Sequence, residues 1–274
     1  MPEEQPTATS LYVIPILASL LVGILCAFLF LRSGVEVPPL PLQPETGYGP
    51  LLNAAFFVMA TGLAATMIYL LLKYGIHRLI RVLMGTAFAV LSASLVLLYS
   101  ELALAIVGID APLALIVLSA VGIAALVVVE VFRVRGRVSG LIVLTLGGAT
   151  GALLGAFIPL LTAVLMLLLL ALYDVIAVYR GPVGKIAAVG LEYLPGASLS
   201  FMNVNVGLGD LTFYSMLVSR MLLSFGWVAC FAGMLGVLVG AFLSFKMVEK
   251  KGIFPGLPFS VALGLSAAVI TTIV

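Results

Sequence analysis

Two aspartates occur within long apolar stretches of the chain, where an acidic side chain is least expected. Asp174 follows a dozen nearly uninterrupted apolar residues and precedes Arg180 by six residues, and Asp210 lies in the segment VNVGLGDLTFYSML. A carboxylate inside the hydrocarbon of a membrane costs several kcal/mol unless it faces a partner or a polar cavity. The two aspartates therefore indicate a functional site.

A pair of carboxyl groups that face each other has a specific chemistry. In a medium of low dielectric constant the two cannot both ionise cheaply, so they share one proton and titrate as a unit. The ionised member can take a proton from a water molecule that attacks a peptide carbonyl, while the protonated member donates to the carbonyl oxygen. The tetrahedral diol then collapses to an amine and an acid, and no metal ion or cofactor is needed.

Other interpretations of the aspartates stay open at this point. Asp174 could be a capped carboxylate or one that reaches the membrane interface, and Asp210 could be a helix N-cap, as the Gly209-Asp210 pair suggests. A proton-coupled transporter would use both acids as proton carriers. A non-catalytic membrane scaffold is a further alternative.

The composition predicts an all-α polytopic membrane protein. Of the 274 residues, 64% are hydrophobic and 9% are charged, which leaves too little polar surface for a water-soluble globule. Disordered and collagen-like classes are excluded, and a net charge of +2 does not indicate nucleic-acid binding. We expect one membrane domain over residues 1–274. Apolar runs predict nine transmembrane helices at residues 11–31, 51–72, 82–100, 111–129, 139–157, 160–179, 207–224, 225–245 and 253–273.

Basic residues predict the orientation of these spans, because Lys and Arg in short loops stay in the cytoplasm. Eleven of the 13 basic residues follow spans two, four, six and eight: Lys73, Arg78, Arg81, Arg133, Arg135, Arg137, Arg180, Lys185, Lys246, Lys250 and Lys251. The prediction is an integral multi-pass protein with a cytoplasmic N-terminus and an extracytoplasmic C-terminus. The acids on the opposite face are Glu36, Glu45, Glu101 and Asp110.

This orientation places both aspartates at similar depth. Span six runs inward, so Asp174 lies about 9 Å from its cytoplasmic end at 1.5 Å per residue. Span seven starts from the same face and holds Asp210 about one turn inside. We therefore expect both carboxyl groups in the inner third of the bilayer.

Prolines and glycines mark breaks between the predicted helices and points where helices can pack closely. The divisions between spans five and six at Pro159 and between spans seven and eight near Gly226 depend on single residues. Residues 33–50 contain five prolines and predict an extended outer loop. Gly147, Gly151 and Gly155 recur every four residues, as do Gly236 and Gly240, which favours close helix packing.

Two further polar residues have simpler interpretations. His77 is surrounded by basic residues and is expected to be a solvated residue of an inner loop. Arg220 follows Asp210 by ten residues, about 15 Å along a helix axis. We expect it to reach toward the outer interface rather than to pair with Asp210.

Three motifs resemble those of the presenilin family of intramembrane aspartyl proteases. That family has Tyr-Asp in its sixth span, Gly-x-Gly-Asp in its seventh and Pro-Ala-Leu at the start of its ninth. The corresponding residues of this chain are Tyr173-Asp174, Gly207-Leu208-Gly209-Asp210 followed by Phe213-Tyr214-Ser215, and Pro255-Gly256-Leu257-Pro258. The Phe-Tyr-Ser extension is more similar to presenilins than to signal peptide peptidases. Gly256 stands where the family has alanine, which adds backbone flexibility.

By this resemblance Asp174 and Asp210 are the catalytic pair, and neighbouring residues bind the substrate. The implied substrate-binding residues are Tyr173, Gly207, Leu208, Gly209, Pro255, Gly256, Leu257 and Pro258. Separate physical arguments apply to several of them. Gly207 and Gly209 present no side chain beside Asp210, so a substrate backbone can come close. Tyr173 could donate a hydrogen bond into the site.

The prolines of the third motif have two interpretations. Pro255 and Pro258 would interrupt the start of span nine and leave carbonyl groups unpaired. Lipid tolerates such groups only where they line a cavity or meet a substrate. The alternative is that proline is simply well accepted in the first turn of a helix.

The resemblance implies an intramembrane aspartyl endopeptidase that cuts the transmembrane helices of other proteins within the lipid bilayer. The predicted orientation is that of presenilins, whereas signal peptide peptidases are inverted. The connection at residues 180–206 is too short for the large cleavable insert of eukaryotic presenilins. We therefore expect a compact archaeal or prokaryotic homologue that needs no accessory subunit, and a homo-oligomer is compatible with the sequence.

Overall fold

The protein is a bundle of helices with one short β-hairpin. The computed structural model describes residues 10–35, 43–133, 137–180, 194, 196–201, 204–251 and 254–273. A 3-10 turn at Ser10–Val13 leads into the first helix. The α-helices of the described residues are α1 (Ile14–Ser33), α2 (Gly49–Lys73), α3 (His77–Val107), α4 (Leu113–Arg133), α5 (Arg137–Phe157), α6 (Leu160–Tyr179), α7 (Leu208–Phe225), α8 (Trp227–Lys251) and α9 (Leu257–Ile273).

These nine helices confirm the predicted all-α membrane fold. Seven of the helices in the described ranges are long and apolar enough to cross a membrane, and α7 and α9 are the two others. α9 has 17 residues, and α7 contains Asp210 and Arg220. α7 is nevertheless the most enclosed element, since ten of its 18 residues are buried. Most of its residues are therefore surrounded by protein rather than by lipid, while Asp210 and Arg220 are half-buried.

The outer faces of the bundle suit a lipid environment. Leu63, Leu118 and Val228 are each more than two thirds exposed on helices α2, α4 and α8. Long apolar helices with such faces make this an integral multi-pass membrane protein.

Both breaks that depended on single residues are confirmed. Pro159 separates α5 from α6 and has an extended backbone with φ −57° and ψ 153°. Gly226 separates α7 from α8 and has φ +82°, a backbone conformation that residues other than glycine rarely adopt. Neither break needs a charged residue, because backbone geometry ends the helix.

Other boundaries differ from those predicted. α3 spans 31 residues and begins at His77, so His77 is a half-buried first residue of a helix and not a loop residue. The prediction ended spans at charges, whereas helical hydrogen bonding continues past them. α2 begins at Gly49, with Pro50 in its first turn, where the missing N–H has no cost. Arg135, Lys185, Glu36 and parts of the 33–50 and 180–206 connections lie outside the described residues.

The glycine repeats lie at helix contacts, which confirms their predicted role. A Cβ atom added to Gly147 of α5 would come within 2.8 Å of the Leu211 Cβ of α7. One at Gly155 would come within 3.1 Å of the backbone nitrogen of Arg220. α8 approaches α9 in the same way, because a Cβ at Gly240 would lie 2.5 Å from the carbonyl carbon of Phe259.

Hydroxyl groups join α7 to α1. Ser215 donates to the carbonyl of Ser19 and Ser219 donates to the carbonyl of Gly23, each at 3.3 Å. Both serines of α7 are fully buried. These bonds and the α5 contacts hold α7 in the interior of the bundle.

A β-hairpin precedes α7 and was not predicted from the sequence. Strands β1 (Ser198–Phe201) and β2 (Val204–Gly207) pair antiparallel, with Ser198 opposite Gly207. The Leu208 backbone N–H donates to the Ala197 carbonyl at 2.9 Å. β2 therefore runs directly into α7 and sets the position at which that helix begins.

Candidate active site

Asp174 caps the start of another helix. It is partly buried on α6, five residues before the helix ends at Tyr179. Its Oδ2 accepts a hydrogen bond of 3.0 Å from the backbone N–H of Leu257, the first residue of α9. The first amides of a helix have no partner within that helix and carry partial positive charge. The α9 N-terminus thus stabilises a carboxylate at position 174.

Asp210 is the third residue of α7, not its N-cap. Gly207 occupies the N-cap position with an extended backbone, φ −69° and ψ 142°. The Gly207 N–H donates back to the Asp210 carboxyl group, as in the acidic half of a capping box. The interpretation of Asp210 as the N-cap is therefore wrong, although its carboxyl group does accept a hydrogen bond from the backbone N–H of the N-cap residue, Gly207.

One dipeptide brings the two carboxyl groups together. A Cβ atom added to Gly256 would lie 3.1 Å from the Asp210 Oδ2, and the next residue, Leu257, donates to Asp174. Asp174 also acts electrostatically on Asp210. Two acids that are 36 positions apart in the sequence thus both lie against the Gly256-Leu257 dipeptide.

The Gly256 carbonyl is held by three hydroxyl groups. Tyr214 of α7 donates to it at 2.9 Å, and Ser244 of α8 and Ser260 of α9 each donate at 3.3 Å. All three side chains are buried. The prediction that this segment leaves carbonyl groups unpaired is therefore wrong for Gly256.

No role for Ser244 or Ser260 follows from the sequence alone, where Tyr214 is only part of a motif. A serine buried in an apolar helix is common, since it can bond the carbonyl four residues earlier. The sequence contains no signal that would have related Ser244 to a carbonyl 12 residues later.

Tyr173 is directed to α2. A Cβ added to Gly62 would lie 3.3 Å from the Tyr173 Cε2. Its hydroxyl is buried and makes no hydrogen bond to any of the described residues. The predicted hydrogen bond from Tyr173 into the site is thus not formed here.

The other predicted substrate-binding residues lie at the starts of α7 and α9. Gly209 is exposed, and a Cβ there would have only Phe213 within 4 Å, at 3.9 Å. Leu208 is half-buried. Pro258 is the second residue of α9, which agrees with the interpretation that proline is accepted in a first turn, and Pro255 is buried just before the helix.

Arg220 lies near the opposite end of α7 and makes no contact with Asp210. Its Nη1 donates to the Gly155 carbonyl of α5 at 3.2 Å. Glu45 acts on it electrostatically, and the same carboxylate accepts a hydrogen bond from Thr162 of α6. We call Glu45, Gly155, Thr162 and Arg220 the outer clasp, since they join α5, α6 and α7.

Comparison with known proteins gives a sequence relative and solved structures of similar fold. No protein-family model matches the chain. Presenilin-B of Dictyostelium discoideum is 34% identical over 122 residues, which cover 39% of this chain and 25% of that protein. The chain thus aligns with about a quarter of the length of this curated relative.

The solved structures are those of a presenilin family intramembrane aspartate protease. The form in space group C222 has a TM-score of 0.67 at 20% identity and covers 95% of this chain and 97% of its own. The form in space group P2 has a TM-score of 0.65 at 22% identity and covers 95% and 96%. The resemblance to the presenilin family that the motifs predict is thus confirmed at the level of the fold.

Proposed function

We propose that this protein is an intramembrane aspartyl endopeptidase with Asp174 and Asp210 as its catalytic pair. The observation that carries the proposal is that both carboxyl groups lie against the same dipeptide, Gly256-Leu257, inside a membrane bundle. A single capped or interfacial acid would not need the second one beside it. The likeness in fold to a presenilin family protease supports the same chemistry.

Hydrolysis would proceed through a shared proton. One carboxyl group removes a proton from water as the water oxygen attacks the peptide carbon, and the other protonates the carbonyl oxygen. The tetrahedral diol collapses as the C–N bond breaks and the nitrogen takes up a proton, which yields an amine and an acid. Because the proton belongs to the pair, we do not name a separate acid and base.

The substrate would be the transmembrane helix of another protein. Its peptide groups are satisfied within the helix, so the helix must unwind before hydrolysis. Strand addition along the backbone of Pro255–Leu257 would replace some of the lost hydrogen bonds only once the Leu257 N–H leaves Asp174, since that N–H and the Gly256 carbonyl both have partners in this structure. The β1–β2 hairpin offers a second extended backbone next to Asp210, and Gly209 leaves the approach to it free of a side chain.

Orientation and partners follow from the charges. We propose a cytoplasmic N-terminus, an extracytoplasmic C-terminus and cleavage near the cytoplasmic third of the bilayer. The partners would be transmembrane substrates and lipid, and cleavage would require no accessory subunit.

The test uses purified protein in lipid vesicles with a transmembrane peptide substrate. Asp174→Asn and Asp210→Asn should each abolish cleavage, because either change removes the shared proton chemistry at nearly constant volume. Thermal unfolding should show that both variants stay folded. Cleavage that survives in either variant would refute the proposal, and pH-dependent proton flux without cleavage would favour the transporter.

A further inference from the structure

We infer that Ser244 of α8 is a positioning residue for the candidate active site: it helps hold the Gly256 carbonyl so that the Leu257 N–H meets Asp174. The inference rests on the proposed function for its catalytic consequence. Its structural part concerns only the bond between Leu257 and Asp174 and can be tested separately.

Three hydroxyl groups converge on the carbonyl oxygen of Gly256. The Gly256 oxygen accepts from Tyr214 at 2.9 Å, from Ser244 at 3.3 Å and from Ser260 at 3.3 Å. A carbonyl oxygen has two lone pairs, so three donors saturate it. A peptide unit held in this way from α7, α8 and α9 has little freedom to rotate.

The three donors differ in whether their bond to Gly256 stays within one helix or joins two helices. Ser260 bonds the carbonyl four residues before it, which serines in helices commonly do without any tertiary role. Ser244 and Tyr214 instead reach Gly256 from 12 and 42 residues away. They connect separate helices, so these two bonds determine where the peptide lies.

Ser244 belongs to a series of small residues that recurs every four positions along α8. It continues the spacing of Gly236 and Gly240 by one further turn. The two glycines let α8 approach α9, with a Cβ at Gly236 only 2.8 Å from the Gly264 Cα. Packing alone requires a small residue at position 244, but not a hydroxyl group that is 3% exposed and aimed at the start of α9.

The peptide unit between Gly256 and Leu257 links the held carbonyl to Asp174. The peptide bond joins the Gly256 carbonyl to the Leu257 nitrogen, and that nitrogen donates to the Asp174 Oδ2 at 3.0 Å. Because a peptide unit is planar, fixing its oxygen also fixes the direction of its N–H. Ser244 thus acts on Asp174 through this single rigid unit.

Hydrogen exchange at the Leu257 amide tests the structural part. Prolines at positions 255 and 258 have no amide hydrogen, so a peptic fragment of residues 255–258 reports only Gly256 and Leu257. Ser244→Ala should speed exchange of this fragment by roughly tenfold, since exchange reports local opening. Asp174→Ala, which removes the acceptor, should give an equal or larger increase.

The matched control is Ser219→Ala on α7. Ser219 is also a buried serine that donates to a backbone carbonyl of another helix at 3.3 Å, but its acceptor is Gly23. It should leave exchange at 255–258 unchanged. Exchange that is unaltered in Ser244→Ala, or equally altered in Ser219→Ala, would overturn the inference.

Turnover tests the catalytic part. With active sites counted by titration with a tight-binding hydroxyl-containing inhibitor, Ser244→Ala should lower kcat roughly three- to thirtyfold with KM little changed. Loss of a serine with only a structural role would reduce the number of active sites but not kcat per site, as expected for Ser219→Ala.

Tyr214→Phe removes the other tertiary donor and should show the same lowered kcat with little change in KM if Ser244→Ala folds poorly. Faster exchange with unchanged kcat per site would refute the positioning role, whereas an inactive parent protein would refute the proposed function and leave the exchange result to decide the structural part.

Discussion

At the scale of single residues, Gly256 has the most constrained surroundings of the candidate site. The nearest atoms to a Cβ at this position would be the Asp210 Oδ2 at 3.1 Å and the Tyr214 hydroxyl at 3.3 Å. Both distances are shorter than ordinary van der Waals contact. The glycine at this position, where presenilins have alanine, thus lets the backbone lie directly against a carboxyl group.

Gly256→Ala should therefore reduce activity, because the methyl group displaces Asp210 or Tyr214 by a few tenths of an ångström. We expect kcat to fall by about tenfold, in keeping with the sensitivity of catalysis to small misplacements. Gly233→Ala on α8 is the control, since its Cβ would lie no closer than 3.5 Å to any atom of the described residues outside its own helix backbone. Peptide cleavage by both variants, measured per titrated site, gives the comparison, and equal effects would contradict the steric argument.

Gly209→Ala separates the stability of α7 from access to the site. An alanine inside a helix is more stable than a glycine by about 1 kcal/mol, and little surrounds this position. We expect a higher unfolding temperature together with a raised KM, because the methyl group narrows the approach to Asp210. A higher unfolding temperature with unchanged KM would show that substrate does not pass over Gly209.

At the scale of elements, α7 depends on close contact with α5 on one side and α1 on another. Gly151 lies at the middle of the α5 repeat, and a Cβ there would lie 2.5 Å from the Ser215 Cβ. A contact this short requires one helix to move. The glycines of α5 thus control how deeply the helix that carries Asp210 is seated.

Gly151→Ala should destabilise the bundle by roughly 1–3 kcal/mol, the range for overpacked cores. Gly122→Ala on α4 is the matched control: it is also a glycine within a helix, and no atom of the described residues outside its own helix backbone lies within 4 Å of its added Cβ. It should be neutral or stabilising by up to about 1 kcal/mol. Unfolding in mixed micelles measures both, and equal destabilisation would contradict the packing assignment.

The outer clasp joins the two helices that carry the acids at their far ends. Glu45 accepts from Thr162 of α6 and acts on Arg220 of α7, and its segment is anchored because Asn53 Nδ2 donates to the Gln43 carbonyl at 3.0 Å. Glu45→Ala should destabilise the fold by about 1–2 kcal/mol through loss of a charge-assisted hydrogen bond. The exposed outer acid Glu101 provides the control, and Glu101→Ala should have little effect on the unfolding temperature.

At the scale of the whole molecule, the bundle has an apolar exterior and polar groups in its interior. Large exposed apolar side chains cover α2 and α4, whereas α7 carries Asp210 and the buried hydroxyl groups of Thr212, Ser215 and Ser219. This distribution is the reverse of that in a soluble protein, because the surrounding solvent is lipid. Such a bundle can keep carboxyl groups hydrated at membrane depth only if they face the interior.

Cysteine labelling tests the orientation of the bundle. The native cysteines, Cys26 and Cys230, lie within helices α1 and α8 and are half-buried and buried. Tyr74→Cys, at a position 70% exposed between α2 and α3, should react with a membrane-impermeant thiol reagent only from the cytoplasmic side. Asp110→Cys, between α3 and α4, should react only from the other side, and the reverse pattern would overturn the proposed topology.

Local chemistry in the sequence already determined most of the elements and the identity of the two acids. Long apolar runs can satisfy their backbone in lipid only as helices, Pro159 and Gly226 end helices by their own backbone geometry, and regularly spaced glycines favour close contact wherever the helices meet. The hairpin before α7 was missed because a short two-stranded pairing depends on partners and not on a periodic pattern. Only the tertiary structure decided that Asp174 and Asp210 both lie against Gly256-Leu257, that Ser244 bonds Gly256, and that Tyr173 is directed to α2. Each of these contacts joins separate helices, so it depends on how the bundle packs, which no local sequence signal specifies.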